Sequence, residues 1–151
     1  MPDLPDDALL LNNQFCFALY TASRKVIQSY GPLLKALDLT YTQYITLLVL
    51  WEHHLLPVKD LGEHLMLDTG TLTPLLKKLE QKGLLTRMRS KSDERSVLIE
   101  LTAEGMALRE RALILLPGLL CEASLDADEL IDLRERLKRL ILNLEPCESA
   151  E

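Results

Sequence analysis

The chain has 151 residues, of which 48% are hydrophobic, and a formal net charge of −6, a size that favours one domain over residues 1–151. No apolar run reaches the ~18 residues of a membrane span, and the acidic start MPDLPDD differs from the basic n-region of a signal peptide, so we expect a cytoplasmic protein with no membrane partner. Three cysteines in a reducing compartment do not indicate a structural disulfide framework.

The N-terminal segment, residues 6–31, is predicted to form one long helix, because proline and glycine are absent from it until Gly31 and Pro32. Its apolar residues cover more than one face, which indicates packing against two neighbours. The short run LLKALDL is predicted to be a connector helix. Thr40 or Thr42 is then expected to cap the apolar helix YTQYITLLVLWEHHLL at the centre of the domain.

Two short helices around a tight turn follow this central helix. VKDLGEHLML is amphipathic, and DTGTLTPLLKKLEQKG begins at a polar cap, Asp68 or Thr69, and ends at Gly83. In the second helix leucines recur at i, i+3, i+4 and i+7, which predicts one buried stripe. The opposite face carries hydroxyls and ammoniums, which suit base edges and phosphates. We therefore predict a helix-turn-helix that reads DNA with Thr69, Thr71, Thr73, Lys77 and Lys78.

Beyond Gly83, the runs LLTRMRS and SVLIELT bracket the charged turn KSDER and predict a two-stranded wing. Its positive charge comes from Arg87, Arg89, Lys91 and Arg95. Arg95 lies near the tip, where a guanidinium suits a minor groove. Asp93, two residues earlier, is expected to orient that guanidinium as a charge-assisted partner. Residues 57–102 are thus predicted to form a DNA-binding winged helix-turn-helix.

Charge and leucine content divide the chain into a reading unit and flanking helices. Residues 68–95 hold seven Lys/Arg and four Asp/Glu, a net +3, whereas residues 106–151 hold six and ten, a net −4. Thr102 and Asp126 are expected to cap two leucine-rich helices within residues 103–144. Because one reading unit does not need so much apolar helix, we predict a homodimer that binds a pseudo-palindromic operator. The predicted fold is mainly α with a small β wing, flanked by dimerisation helices at about 6–31 and 103–144.

With these elements assembled, the sequence resembles the MarR-family winged-helix repressors along nearly its whole length. Within that family it most resembles the organic hydroperoxide resistance regulators of the two-cysteine type. The residues that carry this resemblance are NNQFCFALYTASR around Cys16, the string LDTGTLTPLLKKLE, the LTAEG segment and, farther apart, Tyr20, Tyr30, Tyr41 and Cys121.

The resemblance implies a redox switch. Cys16 would be the peroxide-sensing thiol, held by the hydroxyls of Tyr30 and Tyr41 with Tyr20 beside it, and Cys121 of the partner subunit would resolve its oxidised form. The reduced dimer would bind the operator, organic hydroperoxide would release it, and cellular thiols would restore binding. Tyr30 lies fourteen residues after Cys16, about 21 Å along a continuous helix at ~1.5 Å per residue, so if Tyr30 helps to hold this thiol it must come from the antiparallel helix of the partner subunit.

Two other functions remain open from the residues themselves. The first is a MarR-type repressor released by a reversibly bound small aromatic or anionic ligand, with Cys16 as a bystander. The second is a thiol peroxidase in which DNA binding is secondary. We rank both below the redox repressor, which is not an enzyme. No cofactor or metal is predicted, because the adjacent His53 and His54 cannot converge from one helix and no CxxC or HxxxH spacing accompanies them.

Overall fold

The computed structural model describes residues 6–116 and 126–144. Within these ranges the protein forms two short 3-10 helices, seven α-helices and three strands. The 3-10 helices are Asp6–Leu9 and Leu11–Asn13. The other elements are α1 Phe15–Ser29, α2 Gly31–Leu37, α3 Tyr41–His53, β1 Leu55–Pro57, α4 Val58–Leu65, α5 Thr69–Gln81, β2 Leu85–Arg89, β3 Val97–Leu101, α6 Ala103–Leu115 and α7 Ala127–Asn143. Elements up to α6 belong to one compact unit, and α7 belongs to a second unit that is described by itself.

The predicted continuous helix over residues 6–31 is wrong. Gln14 is extended, with φ −86° and ψ 107°, so α1 begins only at Phe15. The amide side chains before α1 bond to nearby backbone: Asn13 Nδ2 donates to the carbonyl of Asp7 over 2.8 Å. Such local bonds stabilise turns at the expense of helix. At its other end α1 stops at Ser29, ahead of Gly31 and Pro32 as predicted.

The central helix α3 begins as predicted and ends early. The Thr40 hydroxyl accepts from the N–H of Gln43, and the Gln43 side chain accepts from the N–H of Thr40, which forms a capping box. The predicted helix continued to Leu56, but α3 ends at His53, because His54 takes a φ of +61° and Pro57 disfavours helical conformation in the residue before it.

The residues after α3 form β1, which pairs antiparallel with β3 so that Leu56 lies opposite Ile99. The sheet therefore has three strands in the order β1-β3-β2, one strand more than the predicted two-stranded wing. The wing itself, β2 paired with β3, is present as predicted. β1, the strand outside the wing, joins the wing to the connection between α3 and α4.

The core lies between α3, the two helices of the helix-turn-helix and the sheet. The predicted leucine stripe of α5 is buried: Leu72, Leu75, Leu76 and Leu79. It packs in one cluster with Leu47 and Leu50 of α3, Leu61 of α4, Leu85 of β2 and Ile99 of β3. Gly83 ends the reading helix in the left-handed conformation, with φ +73°. These contacts fix α5 to the sheet while its opposite face stays at the surface.

The C-terminal helices begin at the predicted caps. The Thr102 hydroxyl accepts from the N–H of Gly105 over 3.0 Å. Asp126 and Glu129 form a capping box at the start of α7. Cys121 and Cys147 lie outside the described residues. None of the helices within residues 6–116 and 126–144 is long and apolar enough to cross a membrane.

Candidate nucleic-acid interface and thiol site

The reading helix α5 begins at Asp68. Its carboxylate accepts from the N–H of Thr71 over 2.9 Å and from the Thr71 hydroxyl over 2.8 Å. These hydrogen bonds hold the pKa of Asp68 below its usual value. The cap is thus Asp68 and not Thr69, and Thr71 contributes to it through both its backbone and its side chain.

The face of α5 opposite the leucines is exposed. Lys77 and Lys78 lie on it and Thr71 and Thr73 lie on its flanks, as the spacing predicts, and these four residues and Thr69 are all exposed. The Thr73 hydroxyl donates to the carbonyl of Thr69 over 2.8 Å, so its oxygen can still accept a hydrogen bond. Hydroxyl and ammonium groups are therefore presented together along one side of the helix. This is the chemistry that reads base edges and neutralises phosphates.

The wing tip is held by short-range hydrogen bonds. Asp93 Oδ1 accepts from the backbone N–H of Arg95 over 3.0 Å. The Ser90 hydroxyl accepts from the N–H groups of Ser92 and Asp93. The expected Asp93 to Arg95 guanidinium pair is therefore replaced by a side chain to backbone bond, since the short Asp side chain reaches the N–H two residues on. Arg95 itself is exposed at the tip.

A cleft of about 330 Å³ separates the reading helix from the wing. Thr69 and Thr73 line it from α5, Arg95 from the wing, and Lys59 from the first turn of α4. It brings three of the predicted DNA-binding residues to one concave surface. Lys59 was missed by sequence reasoning. Its position at the start of the first helix of a helix-turn-helix, which crosses the DNA backbone, is the signal that identifies it.

Arg87 differs from the other wing cations because its charge is compensated within the protein. Its Nε and Nη2 atoms donate to Glu80 Oε2 over 2.9 and 2.6 Å. Its backbone N–H donates to Glu80 Oε1 over 3.1 Å. Both side chains are about two-thirds buried, and the hydrogen bonds from Arg87 hold the pKa of Glu80 below its usual value.

The predicted thiol site is divided between the two ends of α1. Cys16 is an exposed free thiol in the first turn. Tyr20 is exposed one turn later, with the Arg24 guanidinium carbon 5.4 Å from its ring centre. Tyr30 follows the last residue of the helix. Because α1 is continuous between them, the Tyr30 hydroxyl does not meet the Cys16 sulfur of the same chain.

Tyr30 and Tyr41 are brought together as the thiol hypothesis requires. Their ring centres lie 5.5 Å apart in an edge-to-face arrangement, and Tyr44 lies 5.9 Å from Tyr30. Burial, with the neighbouring Tyr30, raises the pKa of both Tyr41 and Tyr44. Their phenols stay protonated at neutral pH and can donate hydrogen bonds. Tyr44, three residues after Tyr41 on the same side of α3, is a buried residue of the core.

Within residues 6–116 and 126–144 no three His, Cys, Asp or Glu side chains are grouped to hold a metal ion. Sequence reasoning did not anticipate the one histidine pair that the fold creates: the rings of His53 and His64, from α3 and α4, lie 4.7 Å apart. The adjacent His54 is not part of this contact.

Comparison with known proteins places these features in a family. Residues 28–111 match the transcriptional regulator SarA/Rot family. The organic hydroperoxide resistance transcriptional regulator of Bacillus subtilis (strain 168) is 50% identical over 139 residues, which are 92% of each chain. Its name identifies a transcriptional regulator and not an enzyme.

Solved structures of AbfR, a Staphylococcus epidermidis protein, have the same fold. Reduced AbfR bound to DNA matches with a TM-score of 0.76 and 37% identity over 92% of this chain and 96% of that one. The disulfide form of AbfR matches with a TM-score of 0.64 and 37% identity over 89% and 95%. With this similarity along nearly its whole length, the chain belongs to the organic hydroperoxide resistance regulators, redox-sensing winged-helix transcriptional regulators of the MarR type.

Proposed function

We propose that this chain is a homodimeric repressor that binds a pseudo-palindromic operator when reduced and is released when an organic hydroperoxide oxidises Cys16. Cys121 of the partner subunit then forms a disulfide with Cys16, and cellular thiols reverse it. The observation that carries the proposal is the arrangement of the thiol site: an exposed Cys16 at one end of α1 and the paired phenols of Tyr30 and Tyr41 at the other.

The surface of α1 supports the dimer. Among the described residues α1 has no buried side chain, and Phe15 is 69% exposed. Exposed apolar side chains on this scale indicate an interaction surface. A second copy running antiparallel would cover them and would bring the partner's first turn of α1 toward Tyr30 and Tyr41. The thiol site would then be complete only in the dimer. Further exposed apolar residues of α1 are Phe17, Leu19, Val26 and Ile27.

The sensing step is a thiolate displacement at the O–O bond. The Cys16 sulfur attacks one oxygen and becomes sulfenic acid, while the other oxygen leaves as an alkoxide and takes up a proton to give the alcohol. The Cys121 thiol then displaces hydroxide from the sulfenic acid, which releases water and forms the disulfide. Hydroxyls of Tyr30 and Tyr41 would support the thiolate as hydrogen-bond donors.

Release of DNA requires the sensing step to reach the reading helices. In a twofold protein the two copies of α5 must match half-sites about 34 Å apart. A disulfide needs Cα atoms within ~7 Å, so cysteines that start farther apart must move their helices together. Because the reading helix, sheet and α3 share one core, such a movement displaces the reading unit as a body. The spacing then no longer fits the operator.

The test is operator binding by the wild type and by Cys16→Ser, Cys121→Ser and Cys147→Ser variants. Each is measured reduced, after one equivalent of an organic hydroperoxide, and after dithiothreitol, with a non-reducing gel alongside. We expect peroxide to release the wild type and to give a Cys121-dependent crosslinked dimer, dithiothreitol to reverse both, and Cys16→Ser to stay bound. The Cys147→Ser variant is the matched control and should behave as the wild type.

A second candidate function rests on a cavity of about 360 Å³ between α3 and α6. Its walls are mainly apolar, with Leu48, Trp51 and Leu113 among them, and its charged lining residues are Arg109 and Glu52. A small aromatic ligand would fit these apolar walls, with an anionic group, if it has one, paired to Arg109. The chain would then be a repressor released by reversible ligand binding. If a small aromatic ligand, without peroxide, fully released the Cys16→Ser variant from operator DNA, this function would be favoured over the redox switch.

A further inference from the structure

The ion pair between Glu80 and Arg87 lies where the reading helix meets the wing. Glu80 is the penultimate residue of α5, and Arg87 is the middle residue of β2. Between them the chain turns at Gly83, whose missing side chain and positive φ give the turn little intrinsic stiffness. The buried leucines join α5 to the base of β2, and farther along β2 the angle of the wing depends on side-chain contacts that bridge this turn.

Three hydrogen bonds from Arg87 to Glu80 bridge it, two from the guanidinium and one from the backbone N–H. Both carboxylate oxygens of Glu80 are used. β2 is an edge strand, since it pairs with β3 alone in the sheet order β1-β3-β2. Glu80 therefore fixes both the side chain and the backbone of an edge strand that is otherwise held on one side.

We propose that Glu80 is a positioning residue for operator binding, and that Arg87 acts on DNA through this internal pair and not as a phosphate ligand. This proposal rests on the operator binding proposed above. The three hydrogen bonds between Glu80 and Arg87, called the clamp below, hold the wing at one angle to α5. At this angle Arg95 enters the minor groove while α5 lies in the major groove. Arg87 lines the cleft between α5 and the wing, but the Nε and Nη2 atoms of its guanidinium already donate to the Glu80 carboxylate.

The clamp and simple electrostatics make opposite predictions for Glu80. If its charge alone mattered, removing a carboxylate close to the DNA-facing cleft would tighten binding to a polyanion. If the clamp matters, Glu80→Ala loosens the wing and weakens operator binding, by about tenfold. Glu94→Gln is the matched control, because it removes an exposed carboxylate from the wing tip outside the clamp. We expect it to leave affinity unchanged or slightly higher.

Arg87 is tested by the salt dependence of binding. A phosphate ligand contributes about −0.9 to the slope of log Kobs against log salt. Its removal therefore makes the slope less steep by that amount. We expect Arg87→Ala to weaken binding to about the same extent as Glu80→Ala, with an unchanged slope. In the Glu80→Ala, Arg87→Ala double variant the loss should not exceed that of the larger single variant, because both changes break the same contact.

The experiment compares the wild type, Glu80→Ala, the milder Glu80→Gln, Arg87→Ala, the double variant and Glu94→Gln. Operator binding of the reduced protein is measured at several salt concentrations, and amide hydrogen exchange of β2 is measured without DNA. Faster exchange at residues 86–89 in both Glu80 variants, with weaker binding, supports the clamp. Tighter binding by Glu80→Gln, a slope lowered by Arg87→Ala, or unchanged exchange overturns it. If the wild type binds no operator, the proposed function is contradicted. The exchange data would still show whether Glu80 holds β2 in place.

Discussion

The indole of Trp51 donates a hydrogen bond of 2.8 Å to the backbone carbonyl of Gly105, which joins the end of α3 to the first turn of α6. Glycine at residue 105 also lets the first turn of α6 pack closely against Leu84 and Leu101. A Cβ placed there would lie 2.2 Å from the carbonyl oxygen of Leu84 and 2.6 Å from Leu101 Cδ1. The contact connects the central helix to the C-terminal part of the fold across 54 residues of sequence.

Trp51→Phe should lower the free energy of unfolding by about 1–3 kcal/mol, because it removes a buried hydrogen bond and part of an aromatic side chain. Urea unfolding followed by circular dichroism measures the change. Gly105→Ala should destabilise by a similar amount through overpacking. A Trp51→Phe protein as stable as the wild type would show that this contact does not hold α6 to the core.

Arg95→Ala should weaken operator binding and make the slope of log Kobs against log salt less steep by about 0.9, the value for one phosphate contact. The reason is that Arg95 is exposed at the wing tip, with its guanidinium outside the Asp93 contact. Asp93→Ala should weaken binding without changing the slope, since Asp93 orders only the backbone of the tip. Fluorescence anisotropy with labelled operator at four or more salt concentrations distinguishes the two. Equal slopes for wild type and Arg95→Ala would contradict the role of Arg95.

Tyr30→Phe and Tyr41→Phe should each slow oxidation of Cys16 by about tenfold at neutral pH, because a hydrogen bond to a charged group is worth about 1.5 kcal/mol or more. Stopped-flow measurement of thiol loss with cumene hydroperoxide gives the rates. Tyr20→Phe is the control, because the ring packs under Arg24 whether or not it carries a hydroxyl. If Tyr30→Phe and Tyr41→Phe react as fast as the wild type, these tyrosines belong to the core and not to the thiol site.

The Glu80–Arg87 pair should make stability depend on pH at the acidic end. Arg87 lowers the pKa of Glu80 below its ordinary 4.5 in the folded protein. The unfolded chain therefore binds a proton at higher pH than the folded one, so the stabilisation is complete above about pH 5 and is lost as the pH falls through the lowered value. Urea unfolding at pH 7, 5, 4 and 3 should show Glu80→Gln approaching the wild type at low pH. In an Arg87→Ala background this pH dependence should disappear.

The elements that sequence reasoning predicted well depend on short-range physics. The leucine stripe of α5 needs only helical spacing, and the caps Asp68, Thr102 and Asp126 bond to N–H groups three residues away. Gly83 has the left-handed conformation that ends a helix. In each case the residues that decide the structure are neighbours in the chain.

The features that were not predicted involve contacts between residues distant in sequence, or side-chain conformations that the spacing of residue types does not encode. β1 exists because Leu55–Pro57 meets residues 98–100 of β3, more than forty residues later. Arg87 looked like a free wing cation, because sequence spacing does not reveal that the turn at Gly83 returns it to Glu80. The break at Gln14 depends on amide side chains that bond to the backbone before α1. The pairing of Tyr30 with Tyr41 was expected only through the family resemblance.

The position of β3 in the middle of the sheet has a mechanical consequence. β3 bonds to β1 on one side and to β2 on the other, and its central residue Ile99 is fully buried. A protease cut within the tip, between Lys91 and Arg95, would therefore leave both wing strands attached to the body of the protein. The cut chain would keep its reading helix in place and lose only the ordered tip. Its operator affinity would therefore separate the minor-groove contribution to binding from the major-groove contribution without any substitution.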